Sequence, residues 1–147
     1  TGQASGLAPI TLGAPGSSTP VSITVIAPSG ASKTYSITIN RRASSDSTLS
    51  VLSVDVGSLD PIFAHGTVNY TVKVGLLVGN VTLTATKADP NATMSALGSV
   101  LALPGIPTGQ VNVSPDLGIG TKVDLSVIAQ DGINTTTYST TVIRGLF

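Results

Sequence analysis

Between Val68 and Val74 the chain reads VNYTVKV, with Val68, Tyr70, Val72 and Val74 alternating with Asn69, Thr71 and Lys73. A period of two sends successive side chains to opposite faces of an extended strand, so this stretch has one apolar and one polar face. VTLTATK repeats the device, with Val81, Leu83 and Ala85 facing in and Thr82, Thr84 and Thr86 facing out. KVDLSVIAQ places Val123, Leu125, Val127 and Ala129 on one face, and TYSTTVIR does the same with Tyr138, Thr140 and Val142. SVLSVDVG adds Leu52, Val54 and Val56. Short alternating segments separated by Gly, Pro, Asn and Asp clusters predict an all-β sandwich. No window has the period of an amphipathic helix. Asp131-Gly132 in QDGIN supplies the positive φ of a tight hairpin, and Pro90 pushes Asp89 out of helical geometry.

The alternation repeats on a longer scale. VSITVIA from Val21 matches VDLSVIA from Val123, a separation of 102 residues, and Tyr35 matches Tyr138 after a one-residue insertion. Arg41 then coincides with Arg144, and PITL around Ile10 sits opposite VNVS around Val111. A period this long is a whole domain rather than a solenoid unit. The pattern predicts a complete module of about seven strands over residues 47–147. Residues 1–46 hold a half module and linker, containing the last three strands of a second copy.

Composition narrows the function classes. The net charge is zero and only 10% of residues are charged, with seven Asp and no Glu. No basic stripe exists to follow a phosphate backbone, so nucleic acid is not an expected partner. The longest apolar runs, such as VGLLVG, fall short of the ~20 residues of a membrane-spanning helix, and no membrane insertion is expected. No charged n-region and apolar h-region open the chain, which reads as a mature or excised form rather than a precursor. Ser and Thr make up about a quarter of the residues, Cys and Trp are absent, and this balance points to a secreted or surface-exposed β protein.

Four stretches carry a family likeness: STLSVLSVDVGSLDPIF from Ser47, NYTVKV from Asn69, VTLTATKADPNATMS from Val81 and TYSTTVIR from Thr137. Together they resemble the bacterial cadherin-like β-sandwich repeat family of secreted and cell-surface proteins. The resemblance covers residues 47–144, and its last strands recur over residues 21–42. It implies an immunoglobulin-like antiparallel β-sandwich used as a spacer, stalk or adhesion repeat, without catalytic residues. LGSVLALPGIPTG, residues 97–109, departs from the short hairpin usual at that place.

Candidate chemistry is sparse. The single His, His65 in AHGT, has no ordered acid and nucleophile for a hydrolytic triad. Asp55, Asp89, Asp124 and Asp131 are scattered over faces and turns rather than paired across a cleft. Inter-domain calcium needs several carboxylates, yet the linker NRRASSD offers Asp46 beside Arg41 and Arg42, so calcium is not an expected partner there. A weak surface calcium site at Asp89 or Asp131 with turn carbonyls stays open. Tyr35, Tyr70 and Tyr138 share the inward register of their strands and are expected in the core, hydroxyls tied to backbone, rather than as a sugar-binding platform. Asn69, Asn80, Asn91, Asn112 and Asn134 are each followed two places later by Ser or Thr and fit glycosylation acceptors, although an Asn/Thr-rich strand face produces this spacing by alternation alone.

The half module carries the functional expectation. Ile10, Leu12, Val21, Ile23, Val25, Tyr35, Ile37 and Ile39 form the inner face of strands whose opposing sheet is not in the sequence. Left wet, that face forfeits on the order of 10 kcal/mol and leaves an aggregation-prone edge. Its cover can come from the same chain, from a longer tandem-repeat polypeptide, or from another copy by strand complementation or exchange. A head-to-tail contact between copies does not close, so it propagates. The sequence therefore predicts a non-enzymatic extracellular structural protein that self-assembles into a surface filament, with a spacer or adhesion module of a longer repeat protein as the alternative. No cofactor is expected, and any glycan or host-surface ligand is left open.

Overall fold

A computed structural model describes residues 2–147. Two compact units divide the chain, Thr1–Ala43 and Ser44–Phe147. Ser44 belongs to the second, where its N–H donates to Gln130 Oε1 at 3.0 Å and its carbonyl accepts from the Asp131 N–H at 3.0 Å.

The first unit is a long antiparallel hairpin. Strand β1 (Ser18–Ile26) pairs with β2 (Ser32–Asn40) over nine residue pairs. The third strand expected around Ile10 and Leu12 does not form, and residues 2–17 carry no ladder. The reason is visible in the second unit. The segment matching Ile10 by the repeat is a strand there because it pairs with the VTLTATK strand, and residues 1–43 contain no copy of that partner. Pro9 and Pro15 further remove backbone donors.

Nine strands rather than about seven build the second unit: β3 (Leu49–Val54), β4 (Leu59–Asp60), β5 (Asn69–Gly75), β6 (Val81–Lys87), β7 (Thr93–Ala96), β8 (Ser99–Ala102), β9 (Thr108–Val113), β10 (Gly120–Ile128) and β11 (Thr135–Gly145). Two sheets result, with orders β4-β5-β11-β10-β7-β8 and β3-β6-β9. Every ladder is antiparallel except β5 with β11, which is parallel. Alternation holds where it was clearest: Tyr70, Val72 and Val74 of β5, Val81, Leu83 and Ala85 of β6, and Val123, Leu125 and Val127 of β10 are all buried. Val56 departs from the pattern and is exposed, because β3 ends at Val54. A register shift between Leu49 and Val51 turns both Leu49 and Leu52 into the core despite their odd spacing.

The additional strand β8 comes from the stretch over residues 97–109. Leu97 and Gly98 have φ of 52° and 75° and form a two-residue loop between Ala96 and Ser99. Positive φ at both positions gives the twist a tight hairpin needs, although Asn rather than Leu is the usual first residue. Gly109 is required for packing. A Cβ there would lie 2.8 Å from Met94 Cε and 2.9 Å from Leu101 Cβ. Gly109→Ala is therefore expected to destabilise the sandwich by about 1–3 kcal/mol, measured as a shift of the urea midpoint.

Candidate assembly face

The hairpin β1–β2 is the counterpart of β10–β11, pair for pair. Val21 faces Ile37, Ile23 faces Tyr35 and Val25 faces Lys33 in the first unit. At the matching places Val123 faces Thr140, Leu125 faces Tyr138 and Val127 faces Thr136. Both turns close alike, with Ala27 N–H donating to Ala31 O at 2.8 Å and Ala129 N–H to Asn134 O at 2.8 Å. Gly30 and Gly132 hold φ of 86° and 72° in them.

The likeness continues into the base of each hairpin. Gly16 N–H donates to Arg41 O at 3.0 Å, and Gly118 N–H donates to Arg144 O at 3.0 Å. Thr19 Oγ1 accepts from Gly13 N–H at 3.2 Å, as Thr121 Oγ1 accepts from Asp116 N–H at 3.0 Å. The arginines that end the two hairpins differ in partner: Arg41 donates to Gly13 O at the base of its own hairpin, whereas Arg144 donates to Leu76 O, just after β5. Two segments of one chain thus fold to one register.

Burial separates them. Tyr138 is 1% exposed, packed in a core with Leu49, Leu52, Val81, Leu83, Val111 and Val113, and its hydroxyl accepts the buried Leu49 N–H at 3.0 Å. Tyr35 is 50% exposed. Leu125 and Val127 are buried, whereas Ile23, Val25 and Ile37 are half exposed, as are Ile10 and Leu12; Val21 and Ile39 are of intermediate burial. All six strand residues and Tyr35's neighbour Lys33 share one face, while Ser18, Ser22, Thr24, Thr34, Ser36 and Thr38 make the other face mostly polar, with Pro20 and the exposed Ile26 among them. Thr24 and Thr34 hydroxyls hydrogen-bond across it at 3.1 Å. The expectation that Tyr35 sits in a core is corrected: alternation gave its face, but the sheet that buries Tyr138 has no counterpart in residues 1–43. Lys33 Nζ lies 5.2 Å from the Tyr35 ring. Tyr70, by contrast, is 3% exposed and donates to Thr67 O at 2.7 Å, as the sequence led one to expect.

The remaining candidates do not converge. His65 lies exposed in a turn. Asp131 Oδ1 accepts from the Ile133 and Asn134 N–H groups, and Asp89 Oδ1 accepts from Asn91 N–H, so both carboxylates serve their own turns. Among the described residues no group of three His, Cys, Asp or Glu side chains gathers. Asn69, Asn80, Asn112 and Asn134 are exposed and Asn91 is half-buried. The hydroxyl of Thr82 donates to Asn112 Oδ1 at 3.0 Å and that of Ser114 to Asn80 Oδ1 at 2.7 Å, a cross-strand ladder on the polar face of the β3-β6-β9 sheet.

One buried charge escaped the sequence reading. Lys87 is 2% exposed, and its ammonium donates to Ala92 O and Leu103 O, pinning the loops on either side of the β7–β8 hairpin. Burial lowers its pKa, opposed by the nearby Asp89. Its position continues the inward parity of Val81, Leu83 and Ala85, which is the signal that could have found it.

Two exposed carboxylates titrate low. The Thr82 N–H, 2.8 Å from Asp55 Oδ1, holds that carboxyl below its usual range. Asp124 is lowered by the Ser139 hydroxyl and then by Lys122, 3.1 Å away. A depressed folded pKa means the contribution is complete above the ordinary value of 3.8 and drains as pH falls through the folded values. The urea midpoint of the sandwich is expected to hold across neutral pH and to fall below about pH 4, less steeply in the Asp55→Asn, Asp124→Asn double variant.

Comparison with known proteins agrees with this architecture. The cadherin-like beta sandwich domain family matches residues 45–145, the second unit from its first residues to the end of β11. A search of curated proteins finds no match. Domains of this family are typically non-catalytic, of structural or adhesion type, and usually extracellular or surface-displayed. No helix among the described residues is long and apolar enough to cross a membrane. By fold and by a match over most of its length, the chain belongs to the cadherin-like β-sandwich family.

Proposed function

We propose that this is a non-enzymatic extracellular structural protein that joins end to end, the apolar face of β1–β2 being covered by strands from another subunit so that the chain assembles into a surface filament. One observation carries the reading: β1–β2 repeats the register of β10–β11, yet Ile23, Val25, Tyr35 and Ile37 are half exposed where Leu125, Val127, Tyr138 and Thr140 are buried. Covering those side chains together with Ile10 and Leu12, all about half exposed, is worth roughly 5–9 kcal/mol before the cost of association. The polar hydroxyl faces would keep such a fibre soluble. Exposed Asn69, Asn80, Asn112 and Asn134, with Asn91, would carry glycans on those faces if the protein meets the machinery. An intact mass on native material equal to the bare 14.6 kDa chain would exclude that.

A second reading has its own support. The period of 102–103 residues is that of adjacent modules in one polypeptide, so the cover could be a neighbouring repeat, making the protein a spacer or adhesion array. Negative-stain electron microscopy of the 147-residue chain tests the first reading. Uniform fibres support self-assembly; dispersed particles of monomer size leave the array reading in its place.

A further inference from the structure

We propose that the open edge of β2 is a strand-accepting site whose occupant is a strand of the β5 type, supplied by another module of this family and running parallel to β2. The inference rests on the reading that outside strands complete the hairpin, and it adds the edge, the direction and the register.

The second unit supplies the template. Strand β11 has β10 on one side and β5 on the other, in parallel, with Ser139 beside Asn69, Thr140 beside Tyr70, Thr141 beside Thr71 and Val142 beside Val72. The ladder opens where Ser139 N–H donates to Val68 O at 2.7 Å. Strand β2 holds the same position beside β1, but no strand lies on its other side among the described residues. Carrying the register across places an incoming Asn-Tyr-Thr-Val segment beside Ser36, Ile37, Thr38 and Ile39. Its Tyr and Val would then extend the apolar face made by Ile37 and Ile39.

Hydrogen-bond alternation shows that the edge is equipped for this. The Ala27–Ala31 bond fixes which pairs are bonded in the hairpin, and Val25–Lys33, Ile23–Tyr35 and Val21–Ile37 follow in step. The N–H groups of Thr34, Ser36 and Thr38 therefore point away from β1, as that of Ser139 points away from β10. The opposite edge is less suited, since Pro20 of β1 pairs with Thr38 at an outward-pointing position and has no N–H to give. The two edges differ, and β2 is the one with an unbroken row of donors.

The test tethers a strand to the full chain. NYTVKVG, the sequence of Asn69–Gly75, is joined ahead of Thr1 through a flexible Gly/Ser linker, which gives an effective concentration of about millimolar. Amide exchange by NMR is compared with the untethered chain. The amides of Thr34, Ser36 and Thr38 are expected to slow by about tenfold or more, and the gain is expected to vanish with a tether reading NYTPKVG and with Ser36→Pro in the chain. The altered tether leaves the protein's own sequence intact, so its result does not depend on how Ser36→Pro folds. Unchanged exchange at those three amides with the NYTVKVG tether overturns the proposal. Sedimentation of the untethered chain separates this from the self-assembly reading. Association with fast β2 amides would sink the strand site alone, and protection by the tether in a chain that stays monomeric would sink self-assembly alone.

Discussion

Replacing Ile23 and Val25 together by Asp is expected to abolish the proposed association of the chain and to leave the unfolding transition of the sandwich where it was. Both side chains are half exposed on the hairpin, so the free chain loses little when they become polar. In the proposed joint they would take the places that Leu125 and Val127 hold in the second unit, where the equivalents are 2% and 0% exposed. Two carboxylates taken into such a site without partners cost several kcal/mol, so the dissociation constant should rise by about a thousandfold or more. Sedimentation velocity over a concentration series reads the association, and circular dichroism in urea reads the sandwich. An equal loss of sandwich stability would mean that the substitutions act on folding rather than on a joint.

The second large effect separates two tyrosines of identical register. Tyr138→Ala should cost the sandwich about 3–5 kcal/mol, because it empties the centre of the core. Tyr138→Phe should cost about 1–3 kcal/mol, because the buried Leu49 N–H loses the oxygen that accepts it at 3.0 Å. Tyr35→Phe in the dispersed chain should stay within about 0.5 kcal/mol of the parent. In the assembled protein, if an outside strand presents its N–H as Leu49 does, the same substitution should weaken association. Urea titrations of the three variants check the first three values, and comparison of association for Tyr35→Phe checks the fourth.

Much of this was legible in the amino-acid sequence because period-two alternation is a direct consequence of strand geometry. Tyr70, Val72 and Val74, with Leu83, Leu125 and Tyr138, fell on the buried face that the pattern assigned them. The repeat of VSITVIA as VDLSVIA likewise translated into two hairpins with one register. What escaped were features that alternation does not encode. The irregularity between Leu49 and Val51 rotates part of β3, and Leu97 adopts a left-handed conformation at the first position of a turn of which only the second residue, Gly98, favours it. The strand expected at Ile10 failed for a different reason: a strand is a relation between segments, and a local pattern cannot guarantee its partner. Tyr35 shows the same limit at a single residue, since alternation specifies a face and burial needs a second sheet.

Burial of the β1–β2 face in the working protein is the central requirement of assembly, and tyrosine labelling reads it directly. The chain has three Tyr and no Trp, and Tyr35 is exposed while Tyr70 and Tyr138 are 3% and 1% accessible. Nitration of the protein under associating conditions, mapped by peptide mass, should find Tyr35 as unreactive as the other two, with reactivity restored in the Ile23→Asp, Val25→Asp variant. A Tyr35 that stays reactive while Tyr70 and Tyr138 do not would contradict the account.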